Sequence, residues 1–589
     1  MSWFSIPHLA SRGTPTAADK ALKAGQQAKY VKELWILIAS IIAFLALSSS
    51  RQAVFEGRAI VGGSSTWTDR ESVLETVPAA LASVFKVVAF RRHIPIGPGS
   101  VASITELLFI LGYMAAMISF TLVNTENLDS WFFEDRAAHL ASCQLPFIVA
   151  LAGKNNIISF FTGIGHEKLN ILHRAAARTC LILLWIHAIC RASSGLPEQF
   201  DFSHGWMRWG VAGLAAFTLT TILSIRPVRN MFFEFFLLSH IALVGIFLVG
   251  GYLHAREPGW GDYIWPALVV WAFDRVLRFS RLLWNNRGKH GSGHEHTTAT
   301  VELITSDTIR LTLRRRFDWS AGQHAYVILP TVSDIPTEAH PFTIASISKS
   351  LDGTNGPEEK DVVFLIRGRT GFTGRLRDYA ERNGVCTVPA FVDGPYGCPP
   401  DLTKYSLACG SGVSYTLPLL LDLVHNAHAK KSSVRRVVFV WAVRDADHLE
   451  WISKVLTEAL ASAHSTSLVV EPNVYVTGPD CVIPQLPTLA SKDGSSTPPT
   501  PVSESVNNEK MGPPVYSSLK IIHGRPSIRR ILQEEVNAAS GPVSVDVSGP
   551  SALSQAVSRT LASSVTSPMS VLRGSPSVTL HVETFGMVR

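Results

Sequence analysis

Long apolar runs dominate the first half of the chain, up to about Phe279. A helix that crosses a bilayer needs about 20 predominantly apolar residues. The apolar stretch Val77–Phe90, which Lys86 interrupts, is interpreted as an interfacial helix. The remaining runs predict seven spanning helices, of which the third is short: Leu34–Ser50, Val101–Leu122, Ala137–Leu151, Asn170–Ile189, Trp206–Ser224, Phe232–Leu253 and Tyr263–Phe279.

The pattern changes beyond a short Gly/His linker. Apolar residues alternate with polar ones over Thr297–Gly397, between Gly, Pro and Asp residues, which predicts an antiparallel β-barrel. From Cys398 onward, buried strands at Tyr405–Cys409 and Val437–Val443 are each followed by a helical pattern, which predicts a parallel α/β domain. Residues 477–514 are rich in Ser, Thr, Pro and Gly and are interpreted as a disordered insertion.

The sequence thus predicts a multi-domain protein. An N-terminal tail (residues 1–33) precedes an all-α transmembrane bundle of about seven helices (34–280). The β-barrel domain (297–397) and the α/β nucleotide-binding domain (398–589) follow.

Composition agrees with a membrane protein. Of the 589 residues, 47% are hydrophobic and 17% are charged, whereas soluble proteins usually contain about 25% charged residues. The net charge of +7 is explained by Lys and Arg at three membrane edges, which the positive-inside rule makes cytoplasmic. The sequence contains no basic stripe interleaved with aromatic residues, so nucleic-acid binding is not predicted. The orientation of the first span stays open. Seven spans would place the N-terminus outside, whereas the lysines before this span favour a cytoplasmic N-terminus.

Four histidines lie inside predicted spans. His173 and His187 are fourteen positions apart on one helix, and His240 and His254 are fourteen apart on another. Fourteen helical residues rise about 21 Å and return to within about 40° of the same face. Each helix therefore presents one histidine near each membrane edge, which predicts two bis-histidine haems stacked across the bundle.

Two motifs suit a flavin nucleotide. His340, Pro341, Phe342 and Thr343 form HPFT, in which an aromatic ring can lie along a flavin and a hydroxyl can bond near its reactive nitrogen. The segment Arg367–Thr373 offers positive charge, backbone donors and a hydroxyl, which fit a diphosphate. Its predicted binding residues are Arg367, Gly371 and Thr373.

A second nucleotide site is predicted in the α/β domain. Gly410, Ser411 and Gly412 follow a buried strand and open a helix, where backbone N–H groups bind phosphate. Arg444 follows the next strand, where a guanidinium can bind a 2′-phosphate and select NADPH over NADH.

The segment Ala152–Ile189, AGKNNIISFFTGIGHEKLNILHRAAARTCLILLWIHAI, resembles the signature region of the fungal ferric reductase family, within the superfamily that includes NADPH oxidases. The resemblance runs from about Val101 to the C-terminus. It implies a ferredoxin reductase-like FAD and NADPH module and two b-type haems on the four histidines. It places Phe342 against the flavin ring, Thr343 beside it and His340 near the pyrophosphate.

The resemblance also implies further site residues. Gly394 and Gly397 resemble the turn that closes the flavin domain, and Ser548, Gly549 and Pro550 resemble the Cys-Gly-Pro turn that faces the nicotinamide. Phe585 is the residue implied to cover the flavin. Three departures from the family pattern are Ala138 for a glycine, Ser548 for the cysteine and Met587 for a tryptophan. Thr343, Ser548 and Phe585 are the predicted catalytic residues.

The resemblance implies an NADPH-dependent metal reductase. Electrons would pass from cytosolic NADPH through FAD and two haems to ferric or cupric ions or chelates across the membrane. Implied partners are the lipid bilayer and a ferroxidase and iron permease system, at the plasma membrane or alternatively the vacuolar membrane. An NADPH oxidase that makes superoxide and a redox-inactive scaffold remain alternatives. The sequence leaves open whether iron or copper is the preferred acceptor, and it leaves the oligomeric state open.

Overall fold

The computed structural model describes residues 16–61, 93–95, 101–125, 129–196, 198–287, 297–354, 358–403, 405, 407–478, 519–562 and 576–583. These residues fall into two compact units: one is mainly helical and comprises the described residues up to Gly57 and from Thr105 to Phe279, and the other comprises those of Arg58–Ile104 and from Ser280 onward, including the large sheets. The stretch Val77–Phe90, Phe585 and nearly all of the predicted insertion lie outside the described residues.

The helices of the first unit overlap the predicted apolar runs, but two short helices at 157–162 and 226–231 lie in predicted connections, and the first helix begins within the predicted N-terminal tail. The helices are α1 (Ala17–Val61), α2 (Ile104–Leu122), α3 (Ser130–Cys143), α4 (Leu145–Ala152), α5 (Ile157–Thr162), α6 (His166–Ser193), α7 (Gly205–Leu223), α8 (Arg226–Met231), α9 (Phe233–Arg256) and α10 (Trp265–Asn285). Within the described ranges, four helical stretches are long and apolar enough to cross a membrane: Ala17–Leu47, Ile104–Leu122, Lys168–Ser193 and Phe233–Arg256.

The outward-facing side chains distinguish this bundle from the core of a soluble protein. Large apolar side chains point outward, for example Phe44, Phe160 and Phe235, which are 71%, 83% and 58% exposed. Such a surface is typical of helices that face lipid.

The third predicted run is divided into α3 and α4 beside Pro146, because proline lacks the N–H that a continuous helix requires.

A short antiparallel pair, β1 (His93–Pro95) and β2 (Val101–Ser103), precedes α2. The strands after the linker form two further antiparallel sheets. The order of the first is β7 (Lys360–Arg367), β4 (Thr308–Arg315), β3 (Thr298–Thr305), β8 (Cys386–Pro389), and that of the second is β6 (His340–Thr343), β5 (His324–Ile328), β9 (Phe391–Tyr396). The helix α11 (Phe372–Asn383) accompanies them.

The sheets do not close into the predicted barrel. Both edge strands of the smaller sheet contain a proline, Pro341 in β6 and Pro395 in β9, and the edge strand β8 of the larger sheet ends at Pro389. Proline cannot donate a ladder hydrogen bond and is confined to such edges. The alternating pattern predicted the strands correctly, but closure depended on edge pairing that these prolines disfavour.

The last domain is a parallel sheet with helices, as predicted. Six strands are ordered β13 (Lys520–His523), β12 (Val469–Val476), β11 (Arg436–Val443), β10 (Leu407–Ser411), β14 (Val543–Ser548), β15 (Val578–Glu583). The described helices around it are α12 (Val413–His428), α13 (Ser453–Ala463), α14 (Ile528–Ala538) and α15 (Ser551–Ala562). The strand order reverses beside β10, and nucleotides bind at the carboxyl ends of strands at such a switch point.

Candidate functional site

The bundle brings the predicted haem histidines together in pairs across α6 and α9. The imidazole rings of His173 and His240 have centroids 6.5 Å apart. His187 and His254 lie at the other end of the same two helices. The fourteen-residue spacing on each helix therefore yields two facing pairs, one near each end.

In each of the four imidazoles, Nδ1 already has a polar neighbour. Nδ1 of His173 lies 2.9 Å from the carbonyl of Ile148, and Nδ1 of His187 lies 3.0 Å from the carbonyl of Glu134. The corresponding distances are 3.2 Å from His254 to the Trp206 carbonyl and 3.5 Å from His240 to the Ser224 hydroxyl. A carbonyl that accepts from Nδ1–H fixes the tautomer in which Nε2 carries the lone pair.

This donor set fits bis-histidine haem. A metal bound by two imidazole nitrogens at about 2 Å on either side holds the ring centres about 6 Å apart, and the first pair already has that separation. An iron bound by two histidines in this way would have no open coordination position. The residues that would hold two haems are therefore the four predicted histidines.

Glycines set how closely the neighbouring helix α7 approaches α9. A Cβ at Gly250 would lie 2.9 Å from the carbonyl oxygen of Trp209, and one at Gly210 would lie 2.5 Å from Nδ1 of His254. Both contacts are too close for a side chain. The sequence motifs did not identify these glycines, because only the helix crossing reveals their role.

A buried charged cluster surrounds the His187 end. Lys23 from α1 lies 3.1 Å from a carboxylate oxygen of Glu134 and 2.7 Å from one of Asp135, and Arg191 binds Asp135 at 2.9 Å. Oδ1 of Asp135 is 3.7 Å from Nδ1 of His187. The cluster places the start of α1 at the same end of the bundle as His187.

Arg136 lies two residues before Ala138, which stands where the family has a glycine, and it is fully buried. It donates to the carbonyls of Thr121 and Val123 at 3.2 and 2.6 Å and to the side chain of Gln26. Its guanidinium also lies 4.7 Å from the ring centroid of Tyr30. Arg136 therefore joins α1, α2 and α3.

The HPFT strand meets the Arg367–Thr373 segment through aromatic rings. The His340 ring stacks on Phe372 at 4.2 Å between centroids, and Phe342 lies 6.2 Å from the same ring. Phe342 is half-buried and Thr343 is buried beside it. Phe372 was quoted in the motif but not predicted as a site residue, because a contact between separate segments has no local sequence signal.

Two more residues support this site. Glu338 accepts from His340 at 2.6 Å and from Arg375 at 3.1 Å, so one carboxylate connects β6 to α11. Neither Glu338 nor Arg375 was predicted from the sequence.

The predicted diphosphate residues lie before and at the start of α11. Arg367 is exposed at the end of β7, and Gly371 adopts φ +61° where the helix begins. The Thr373 hydroxyl accepts from the backbone N–H of Arg369 at 3.2 Å. Gly397 adopts φ +100° after β9, whereas a Cβ at Gly394 would lie 2.7 Å from that of Ala325. The exposed charge and the helix N-terminus form a surface that can bind phosphate.

In the α/β domain, two turns that are distant in sequence meet at the switch point. Ser411 pairs in register with Val547, and a Cβ at Gly412 would lie 2.1 Å from the carbonyl oxygen of Ser548. Gly412 has φ +91°. Only glycine satisfies both requirements, so the segments carrying Gly410–Gly412 and Ser548–Pro550 form one edge.

Arg444 follows β11 on the same edge and is exposed. Its carbonyl accepts from the N–H of Gly478 at 2.8 Å, and a Cβ at Gly478 would lie 2.5 Å from that oxygen. Gly478 was not predicted, although it holds the backbone of the predicted 2′-phosphate residue.

A carboxyl group is buried two residues before Ser548. Asp546 is 1% exposed, accepts from the Ser544 hydroxyl at 2.9 Å and pairs in register with His581. Burial raises the pKa of Asp546 to about 6, although the nearby His581 acts to lower it. The ring of Tyr415 stacks on that of His581 at 6.0 Å.

Three family models match the chain in order. "Ferric reductase like transmembrane component" matches residues 137–251, "FAD-binding domain" matches 294–400, and "Ferric reductase NAD binding domain" matches 405–562. The order agrees with the helical bundle, the antiparallel sheets and the parallel sheet described above.

Curated relatives have matching descriptions. The chain is 27% identical over 429 residues to "Probable ferric reductase transmembrane component" of Candida albicans, covering 69% of this chain and 59% of the relative. It is 28% identical over 450 residues to "Probable cell surface ferric reductase kap2" of Aspergillus oryzae, covering 70% and 58%. The chain thus spans a little over half the length of these relatives.

Solved structures resemble the chain more distantly. "Ferredoxin reductase in carbazole 1,9a-dioxygenase" is 17% identical with a TM-score of 0.29, and the match covers 49% of this chain and 69% of that one. A flavohemoglobin from Malassezia yamatoensis is 14% identical with a TM-score of 0.32 and covers 76% and 96%.

Proposed function

Because this chain belongs to the ferric reductase family, we propose that it transfers electrons from cytosolic NADPH, through FAD and two b-type haems, to ferric ions or chelates on the opposite membrane face. Cupric ions are a second proposed substrate. The single observation that carries this proposal is the pairing of His173 with His240, because two imidazoles at 6.5 Å on facing helices fit an iron between them.

The four histidines would hold the haems through Nε2. Bound haem supplies a carrier of single electrons on each side of the membrane. The protein's own contribution is to fix each ring by its Nδ1 contact and to exclude water with the apolar helices around it. With all four histidines holding haem, the bound haems would supply electrons to the metal substrate without a dedicated metal-binding cage on the protein.

The cytosolic residues bind and orient the two nucleotides. Phe342 would lie along the flavin ring, with Thr343 beside it and Phe372 behind, while Arg367 and the start of α11 bind the diphosphate. Gly412 and Ser548 would bring the nicotinamide of NADPH to the strand edge, and Arg444 would bind its 2′-phosphate. Phe585 remains the proposed residue that covers the flavin.

We place the protein in the plasma membrane, with its sheet domains in the cytosol. A ferroxidase and permease system that takes up the reduced iron is the proposed partner. A vacuolar membrane is the alternative location.

The second candidate is an NADPH oxidase. Oxidases of the wider superfamily typically place the histidines of the second helix one residue closer together. His240 and His254 keep the same fourteen-residue separation as His173 and His187, which favours the reductase. A redox-inactive scaffold is disfavoured by the same retained histidine pairs.

Haem reoxidation in the detergent-solubilised protein tests the proposal. The protein is reduced with NADPH without oxygen, and the haem α-band is followed after addition of ferric citrate or of air. Rapid reoxidation by ferric citrate with little superoxide in air is expected for a ferric reductase. Reoxidation by oxygen alone, with superoxide released, would instead indicate an oxidase, and absence of a bis-histidine spectrum would exclude the haem sites.

A further inference from the structure

The turn between β3 and β4 contains a carboxylate that no motif identified. Oδ2 of Asp307 accepts from Nε of Arg367 at 2.6 Å, and its Oδ1 accepts from the Thr308 hydroxyl at 3.0 Å. The backbone carbonyl of Asp307 accepts from the N–H of Gly368 at 2.7 Å. Side chain and backbone together therefore fix the first two residues of the Arg367–Thr373 segment.

The α/β domain contacts the same turn. A 3₁₀ helix, Ala446–Trp451, begins two residues after Arg444. Nε1 of Trp451 donates to the Thr305 hydroxyl at 3.1 Å, and its carbonyl accepts from Arg310 at 3.3 Å. The segment after the predicted 2′-phosphate residue is thus anchored on the flavin domain.

A buried histidine completes the contact. His448 is 6% exposed, its Nε2 lies 3.6 Å from Oδ1 of Asp307, and its ring lies 4.5 Å from that of Trp451. Burial lowers the pKa of His448, while Asp307, Asp445 and Asp447 oppose that shift. Burial would raise the pKa of Asp307, but Arg367 and the hydrogen bonds hold it below its ordinary value. Asp307 is therefore a carboxylate at neutral pH.

We propose that Asp307 is a positioning residue that couples the two nucleotide sites. It holds Arg367 toward the FAD diphosphate, and through Thr305, His448 and Trp451 it fixes the segment that follows Arg444. NADPH binding that orders this segment then stabilises bound FAD, and FAD stabilises bound NADPH to the same degree, because binding couplings are reciprocal. The inference rests on the proposed function of Arg367 and Arg444.

The chain offers a matched control at the opposite end of the same strand pair. Thr308 pairs with Arg367 at one end of β4 and β7, and Arg315 pairs with Lys360 at the other. Just beyond that second end, Arg316 binds Glu359 at 2.9 Å. Glu359→Gln therefore removes one carboxylate from an arginine at the end of this strand pair opposite to Asp307.

The first test measures FAD affinity by flavin fluorescence in flavin-depleted, detergent-solubilised full-length protein. Asp307→Asn is expected to weaken FAD binding by about threefold to tenfold, because the ion pair is partly exposed. Glu359→Gln is expected to leave it unchanged. Equal affinities for Asp307→Asn and the wild type would overturn the proposed role of Asp307.

The second test measures coupling, which a merely structural residue would not change. FAD affinity is determined with and without saturating NADP⁺. In the wild type NADP⁺ should tighten FAD binding by about fivefold or more. Trp451→Phe, which removes the donor to Thr305 but keeps an aromatic ring at this position, and Asp307→Asn should bring this ratio toward one, while Glu359→Gln keeps it.

The outcomes separate this inference from the proposed function. A wild-type protein that binds both nucleotides with a ratio near one overturns the coupling and leaves the reductase proposal intact. Variants that retain the wild-type ratio also overturn it. Failure of the wild type to bind FAD or NADP⁺ overturns the proposed function itself and the coupling with it.

Discussion

Asp546 shows how one residue can oppose the stability of its own domain. Its carboxyl lies in the central region of the parallel sheet with one described hydrogen-bond donor, Ser544. Ionisation there lacks the solvation that water provides, so the folded state binds the proton more tightly than the unfolded chain does. Folding stability should therefore fall as the pH rises from about 4 to about 6, and remain at the lower level above that.

Asp546→Asn removes this penalty. The pKa of about 6 in the folded protein lies about two units above that of a free aspartate, which corresponds to about 3 kcal/mol at most. The variant should unfold at a higher temperature than the wild type at pH 7.5, and the difference should shrink at pH 5. Thermal unfolding in detergent measures this.

The exposed Asp361 provides the control, because its side chain is 61% exposed. Asp361→Asn should shift the melting temperature little at either pH. Identical melting temperatures for wild type and Asp546→Asn at pH 7.5 would contradict the raised pKa.

At the scale of elements, the crossing of α7 and α9 sets the position of His254. Gly210 faces the His254 ring, and Gly250 contacts the backbone of α7. Small residues at such crossings allow close helix packing in membranes. The position of His254 therefore depends on a neighbouring helix that contains none of the four proposed haem ligands.

Gly210→Ala should selectively disturb the His187 and His254 site. The added methyl would overlap Nδ1 of His254, so we expect loss of one of two haems, with the His173 and His240 site retained. Gly245→Ala is the matched control on α9, because a Cβ there meets nothing within 4 Å. Haem content per protein and a redox titration measure the effect, and two intact haems in Gly210→Ala would refute it.

The sequence predicted helices and strands better than it predicted their contacts. Apolar runs located the helices, and histidine spacing placed the pairs on shared faces, because both depend on local periodicity. The barrel prediction was wrong, since closure depends on edge pairing rather than on alternation. Phe372, Glu338 and Asp307 were missed because each acts through a partner distant in sequence.

At the scale of the whole molecule, the charged cluster bears on the orientation of the first span. Lys23 is 8% exposed and binds two acidic residues of α3. Its charge is therefore neutralised within the protein, and it no longer argues for a cytoplasmic N-terminus. The structure thus agrees with an odd number of spans before the sheet domains, if these lie in the cytosol as proposed.

Cysteine labelling in intact cells tests this topology. Lys20→Cys, near the start of α1, should react with a membrane-impermeant maleimide from the same side as Ser203→Cys, which lies in the loop after His187. Labelling of Lys20→Cys only after permeabilisation, with Ser203→Cys already labelled, would contradict the arrangement. The unsubstituted protein measures the background from native cysteines.

The strand order of the parallel sheet also predicts where the chain can accept an insertion. The segment between β12 and β13 joins the outermost pair of strands, so additions there leave the central β10 and β14 edge unchanged. Parallel neighbours still need a crossover of about a dozen residues or more. Shortening residues 481–517 to about 15 should therefore preserve NADPH oxidation by ferric citrate, whereas a four-residue link should prevent folding and leave no monodisperse protein after extraction into detergent. The length of this connection is therefore expected to be separable from the arrangement of the nucleotide-binding edge.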